Sequence, residues 1–285
     1  MVEITLGFVA AICWGIHDFL VRFIVKKVNI ITALISTNLI SVSVLLIFFY
    51  LSRNDKSLEI ELVGISLIYG LLFLLATYSL YKAFNRGPIY IAAPIICSYP
   101  ILSLFYAAIL TDPPSLHEWL LSIFVIFGII LTVVAKSKSQ KTVSFQIFGT
   151  IIWSIFAAIC FSLSFLLGQH QSINSFEILS NLIARVSAVL VLGTLLFNQI
   201  LFKSLKPNYI LILIFMGIVD TLALLIMVYS GNFDNPEFSS VSASTFGVIT
   251  ILLVCFFYKE ILNRIQIFGI ILVFTSIAIL SFGKN

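Results

Sequence analysis

Charge is what this chain has least of. Only 10% of its 285 residues are Asp, Glu, Lys or Arg, while 61% are hydrophobic and the mean hydropathy is +1.16. A soluble globular domain carries about 25% charged residues and cannot hide so much apolar surface in one core, so a soluble fold is excluded. Histidine is scarce too: three in all, with His117 and His170 in connections between apolar runs. The converging His, Asp or Glu ligands of a metal hydrolase are therefore not expected, and the lack of a P-loop argues against ATP-driven pumping. The four cysteines, Cys13, Cys97, Cys160 and Cys255, all fall within apolar runs and form no C-x-x-C pair. They read as small buried hydrophobes rather than disulfides or metal ligands. No cofactor and no metal are expected. No basic stripe with interleaved aromatics is present, so a nucleic-acid partner is not expected either. The first apolar run follows Glu3 rather than a basic stretch and lacks a small-residue cleavage site, so it is expected to remain as a helix rather than leave as a signal peptide.

What the chain has is apolar runs of about 20 residues, the length that crosses a hydrocarbon layer as a helix. The runs do not alternate, which excludes the strands of a membrane barrel. The pattern predicts an all-α integral membrane protein with ten spans, at 4–25, 30–51, 61–83, 89–110, 117–135, 146–168, 176–200, 207–229, 237–257 and 264–282. Punctuation such as "SRNDKSLE", "TDPPS" and "GNFDNPE" separates them, and "KKVN" reads as the tightest connection. Lys and Arg sort by side. Twelve flank the connections after odd-numbered spans (Arg22, Lys26, Lys27, Lys82, Arg86, Lys136, Lys138, Lys141, Lys203, Lys206, Lys259, Arg264), against Arg53, Lys56 and Lys284 opposite. That bias predicts odd connections in the cytoplasm and both termini outside. A multi-pass protein of the cell's inner membrane follows as the expectation, with the lipid bilayer as its surroundings and its oligomeric state open.

The chain also repeats itself. "FVAAICWGIHDFL" at 8–20 matches "IFAAICFSLSFLL" at 155–167, an offset of 147 residues. The same offset aligns Gly70 with Gly217, Asn85 with Asn232, and "SYPILSLFYAAIL" at 98–110 with "TFGVITILLVCFF" at 245–257. One register without gaps pairs spans 1–5 with spans 6–10, giving two units, 1–140 and 141–285. Because five is odd, consecutive copies face opposite ways: an inverted-topology repeat, related by a pseudo-two-fold axis in the membrane plane.

Ten short-looped helices in two five-helix halves resemble the drug/metabolite transporter superfamily, specifically its EamA-type members. "YKAFNRGPIYIAAPIICSYPILSLFYAAIL" followed by "SLHEWLLSIFVIFGIILTVVA" is similar to the family's block of spans 3–4–5. "SSVSASTFGVITILLVCFFYKEILNRIQIFGIILVFTSIAILS" repeats it, with Glu260 where the family usually has a G-E motif. "AAICWG" resembles the family's W-G signature. The chain departs from the pattern at "TDPPS", where G-E would stand, and at Phe161–Ser162, in place of W-G. The resemblance implies a small-molecule transporter whose spans 1, 3, 4, 6, 8 and 9 surround a central cavity. It favours His17, Asp18, Tyr78, Tyr99 and Asp220 as site residues over Arg185 and Asn38.

Ionisable side chains inside spans need a partner or an aqueous cavity. His17 and Asp18 lie about four residues past the middle of span 1, about 6 Å off centre. Arg22, one turn beyond Asp18, offers a local pair with its head at the headgroups. His17 shares a face with Trp14, and an imidazole ordinarily titrates near neutral pH. Arg185 aligns with Asn38, and Asp220 with Phe73. The two charges read either as a structural ion pair or as a gate that a zwitterion could open. Tyr78 and Tyr81 lie one turn apart, and Tyr81, beside Lys82, fits an interfacial anchor as well as a cavity. Tyr99 is mid-span and with Trp14 offers a cation–π surface. Pro94 and Pro100 are expected to kink span 4. The hydroxyls of "SSVSASTFG" in span 9 suit close helix packing or a polar path. The candidate substrate-binding set is thus Trp14, His17, Asp18, Tyr78, Tyr81, Tyr99, Arg185 and Asp220. Together they point to a secondary carrier of a small polar metabolite, an amino acid or related zwitterion or ammonium compound, working by alternating access with proton coupling as an option. A channel and, further off, a membrane-embedded enzyme are the alternatives.

Overall fold

The computed structural model of the protein describes residues 2–52, 60–102, 115–134, 144–172, 177–196, 206–233, 236–259 and 262–282. Backbone in hydrocarbon must bond to itself, and the described residues form helices and no strand. These are α1 Val2–Ile24, α2 Ile30–Leu51, α3 Ile60–Arg86, α4 Ile89–Ile96, α5 Leu116–Val134, α6 Ser144–Ser172, α7 Glu177–Leu196, α8 Pro207–Tyr229, α9 Pro236–Ala243, α10 Phe246–Tyr258 and α11 Arg264–Phe282. A short 3-10 turn, Ser230–Asn232, follows α8. Seven helical stretches are long and apolar enough to cross a membrane, and three shorter apolar ones accompany them. The architecture is a ten-span membrane fold of two inverted five-helix repeats.

The tightest described connection is not "KKVN". Helix α3 runs on to Arg86, leaving only Gly87 and Pro88 before α4. Proline suits that place, since its ring fixes φ for the turn and its missing N–H lies where no helical partner is available. At the start of α2 the Asn29 side chain accepts from Ile31 N–H at 2.8 Å and caps the helix. The second half of span 4 (103–110), the "KSKSQK" connection with the expected 140/141 boundary, Lys203 and Glu260 lie outside the described residues.

Each helix finds its main neighbours in the other half. Helix α1 packs on α8, α9 and α10, while α6 packs on α3 and α4. Helix α2 crosses α7 and α8, α7 also crosses α3, and α5 pairs with α11. Swapping each span for its repeat partner turns this set of contacts into itself, as a two-fold axis requires. The sense of the axis follows from the ends. Arg22, at the end of α1, bonds the carbonyls of Phe84 and Gly87 at the end of α3. Gly87 in turn touches Thr150 near the start of α6. At the opposite end Gly7, near the start of α1, touches Ser239 and Ser242 of α9, and Gln169, near the end of α6, bonds Ser239 and Ser240. Helices α1 and α6 are repeat partners, and they run antiparallel.

The symmetry holds at single residues. A Cβ on Gly70 would lie 2.5 Å from the backbone of Ala184 and 2.7 Å from Ser187 Oγ. One on Gly217 would lie 2.9 Å from the Thr37 carbonyl and 2.7 Å from Ile40 Cβ. Ala184 and Ser187 are the repeat partners of Thr37 and Ile40, so one helix crossing is built twice, and a glycine permits the approach each time.

Spans 4 and 9 are both broken, at Cys97–Ser98 and at Ser244–Thr245, again repeat partners. The first break lies between Pro94 and Pro100, which remove two donors. The second has no proline. There Ser244 Oγ donates to Val241 O at 2.6 Å, and Thr245 Oγ1 to Ser242 O at 2.7 Å. Hydroxyls that bond back to carbonyls compete with the backbone ladder and bend helices. The backbone tightens to three-residue bonds at both places: Ser98 N–H donates to Ile95 O at 3.2 Å and Thr245 N–H to Ser242 O at 3.2 Å. The span read at 237–257 is present, interrupted at Ser244–Thr245. The two breaks face each other, a Cβ on Gly247 reaching 2.5 Å from Cys97 Sγ.

Candidate functional site

Where the halves meet, side chains of both line one gap. Trp14, His17 and Asp18 come from α1 at helical spacing; Phe73, Thr77, Leu80 and Tyr81 come from α3 in the same way. Phe161 and Phe165 of α6, Asp220 of α8 and Phe246 of α10 complete the lining. The gap has room for about one water molecule.

Two polar chains border it. In the first, His17 Nδ1 lies 3.0 Å from Asp18 Oδ1, and Tyr81 Oη lies 3.3 Å from His17 Nε2. With Nδ1–H donating to the carboxylate, Nε2 accepts from the tyrosine hydroxyl. His17 and Asp18 are 3% and 2% exposed, and among the described residues Asp18 Oδ2 has no hydrogen-bond partner. In the second chain, Trp14 Nε1 donates to Asp220 Oδ1 at 3.1 Å, and Arg185 Nη2 donates to Asp220 Oδ2 at 2.6 Å. Arg185 Nη1 donates to Asn38 Oδ1 at 3.3 Å, and the guanidinium carbon sits 4.6 Å from the centre of the Phe73 ring. Asn38 is held by its own donation to Leu34 O at 2.8 Å. Behind this, Tyr69 Oη donates to Asn181 Oδ1 at 2.7 Å.

Of the residues singled out from sequence, Trp14, His17, Asp18, Tyr81 and Asp220 line the gap. Arg185 lines a smaller adjoining void with Asn38, Tyr69, Gly70 and Phe73. Tyr99 stands one ring behind the gap: its ring centre is 5.1 Å from that of Phe165, and its hydroxyl donates to Ser240 O, tying the two broken spans together. Tyr78 is half-buried and is not brought to the gap. It packs edge-on against Trp153 at 5.8 Å, with Lys82 Nζ 5.3 Å above its ring. The aromatic wall of Phe73, Phe161, Phe165 and Phe246 was not anticipated. A signal for half of it was present, since Phe73 and Phe161 are the repeat partners of Asp220 and Trp14. The Trp14–Asp220 hydrogen bond, which crosses between the halves, is replaced at the symmetry-related place by the Phe161–Phe73 edge-to-face contact at 5.6 Å.

Both ends of the bundle are tied. Arg22 donates to Gly87 O at 3.0 Å and to Phe84 O, and Lys26 to Asn85 O. Burial, and then the Arg22 charge beside it, push the Lys26 ammonium below its usual pKa. The repeat partner of Arg22 is Gln169, whose Nε2 donates to Ser230 Oγ and Pro236 O, each at 3.1 Å, and to Ser240 Oγ at 3.2 Å. Among the described residues no group of three or more His, Cys, Asp or Glu is placed to hold a metal ion.

Membrane-length helices around a buried polar centre define a multi-pass membrane protein. The chain belongs to the EamA-like transporter family, whose model matches residues 1–134 and again 148–282, and so to the drug/metabolite transporter superfamily. No curated protein matches it. A crystal structure of another protein superimposes with a TM-score of 0.70 at 12% identity, covering 98% of this chain and 96% of that one, a likeness of fold alone.

Proposed function

We propose that this transporter is a secondary carrier of a small polar metabolite with a basic nitrogen, in the range from amino acids to ammonium compounds, in the cell's inner membrane. The observation that carries the reading is the pair of buried carboxylates, Asp18 and Asp220, on one aromatic-lined gap between inverted halves. Holding an ionised side chain inside a span costs up to about 3 kcal/mol on insertion scales, and a bundle that only needed to fold has no use for that expense. Alternating access is supported by the gap's place between the halves and by ties at both ends of it, at Arg22 and at Gln169. With the units taken as 1–140 and 141–285, releasing one tie opens one side. The narrowness of the gap favours a carrier over a channel, which needs a continuous polar lane. The Tyr81–His17–Asp18 chain is the route through which protons would couple.

The test is counterflow in proteoliposomes across a panel of amino acids, amines, quaternary ammonium compounds, nucleosides and sugars. Saturable flux, accelerated by cold solute on the far side, is the expected result. Flux that never saturates, or none across the panel, refutes the carrier.

A further inference from the structure

We infer that the gap binds a cation and that Asp18 is its anchor, so that within the range proposed above the substrate is an amine rather than an amino acid. The inference rests on the carrier reading and narrows it.

The charges around the gap are unevenly matched. Asp220 is neutralised in place: Trp14 occupies one carboxylate oxygen and Arg185 the other. Arg185 is committed to Asp220, to Asn38 and to the face of Phe73. It does not line the gap, and its unpartnered Nε belongs with the adjoining void. Among the described residues, then, the gap presents no guanidinium or ammonium to receive a substrate carboxylate. Asp18 differs. Its Oδ1 takes His17, its Oδ2 takes nothing among the described residues, and it is 2% exposed. Both ring nitrogens of His17 are already engaged, Nδ1 with Asp18 and Nε2 with Tyr81.

A buried acceptor left without a donor costs about 1–3 kcal/mol, more when it is charged. An ammonium N–H removes that cost and the unbalanced charge together. The walls suit the same ligand, because the faces of Trp14, Phe161, Phe165 and Phe246 attract cations and offer an apolar lining for the carbon body. A zwitterion would have to bury its carboxylate beside Asp18 with no guanidinium or ammonium on the gap to meet it, which is unfavourable. The gap as it stands has room for about one water molecule, so binding requires it to widen.

Three probes share one skeleton and differ in charge: phenethylamine, phenylalanine and 3-phenylpropanoate. Binding to the purified full chain, by isothermal calorimetry, and flux in proteoliposomes are measured for each. Phenethylamine is expected to bind at least tenfold tighter than phenylalanine and to move saturably, with no uptake of 3-phenylpropanoate. Asp18→Asn should weaken amine binding at least tenfold while eluting as a monodisperse protein, and Asp18→Glu should recover part of the loss. Phenylalanine binding as tightly as the amine, or Asp18→Asn binding the amine normally, overturns the inference. In that case saturable flux of any probe leaves the carrier standing. If a zwitterion or anion from the wider panel proves to be the only solute moved, the inference falls and the carrier holds. If nothing moves, both fall.

Discussion

Arg185 donates to Asn38 across 3.3 Å, and the two stand 147 residues apart in the chain, at the same position of the two repeats. A residue that touches its own repeat partner lies on the symmetry axis. On either side of Arg185 stand another such couple, Asp220 with its carboxylate and Phe73 with its ring face. The scaffold is symmetric there and the chemistry is not, so the cation leans on charge toward one half and on π-electrons toward the other.

Breaking this pair leaves a buried charge without a partner, at a cost of about 3–5 kcal/mol. Asp220→Asn should therefore lower thermal stability in detergent as well as transport, even though the new amide oxygen can still accept from Trp14. The double variant Arg185→Met/Asp220→Leu should regain most of the stability and none of the transport. Melting curves beside flux measurements check it, and a single variant as stable as the parent would contradict the account.

The repeated helix crossing gives a second expectation. Gly70→Ala and Gly217→Ala each push a methyl group into backbone on the facing helix, and overpacking of this kind costs about 1–3 kcal/mol. Gly64 and Gly193 have nothing within 4 Å of a new Cβ. Alanine there should be neutral or raise stability by about 0.5–1 kcal/mol through helix propensity. Four melting temperatures in one detergent decide it.

Arg22 and Gln169 are repeat partners tying opposite ends, so their loss should act in opposite senses. In a cysteine-free background carrying Thr77→Cys on the gap, Arg22→Ala should speed labelling by an impermeant thiol reagent from the basic end of the bundle. Gln169→Ala should speed it from the other end. Inside-out and right-side-out vesicles distinguish the two, and equal labelling from both sides in each variant would refute the assignment.

Trp14→Phe keeps an aromatic ring in the wall but removes the donor to Asp220 along with part of the indole's packing on Phe165 and Phe246. A hydrogen bond to a charged group is worth about 1.5–3 kcal/mol. Transport should fall roughly tenfold or more at sub-saturating solute with the protein still folded, as concentration-dependent flux against circular dichroism would show.

The spans were legible because an apolar run of membrane length has one use, and the bounds read from sequence for 30–51, 207–229 and 264–282 coincide with α2, α8 and α11. The polar members of the site stood out for the opposite reason: Trp14, His17, Asp18 and Asp220 are conspicuous where everything else is hydrocarbon. The phenylalanines around them are camouflaged, since one apolar side chain in a membrane span looks like any other until packing selects it. The break in span 9 was hidden because serine and threonine bend a helix only when their hydroxyls turn back on it, which the letters do not state. Tyr78 and Tyr81, one turn apart, fall to opposite duties: Tyr81 meets His17, while Tyr78 packs on Trp153. The last spans hold a further lesson. "IFGIIL" occurs at 126–131 and again at 267–272, a spacing of 141 rather than 147. The uniform register passed over it because the connections before the two copies differ in length. In the structure Gly128 sits against the Gly269 carbonyl, its missing Cβ 2.8 Å away.

The unlike origins of the two breaks bear on mechanics. Pro94 and Pro100 can never donate, so two rungs of the backbone ladder cannot form in the arm they interrupt. The hydroxyl-made elbow at Ser244–Thr245 retains all its amide hydrogens and can be re-threaded into an uninterrupted rod by rotating side chains. The two copies thus hold their bends by different means, one by donors that are missing and the other by hydroxyls that turn back on the backbone.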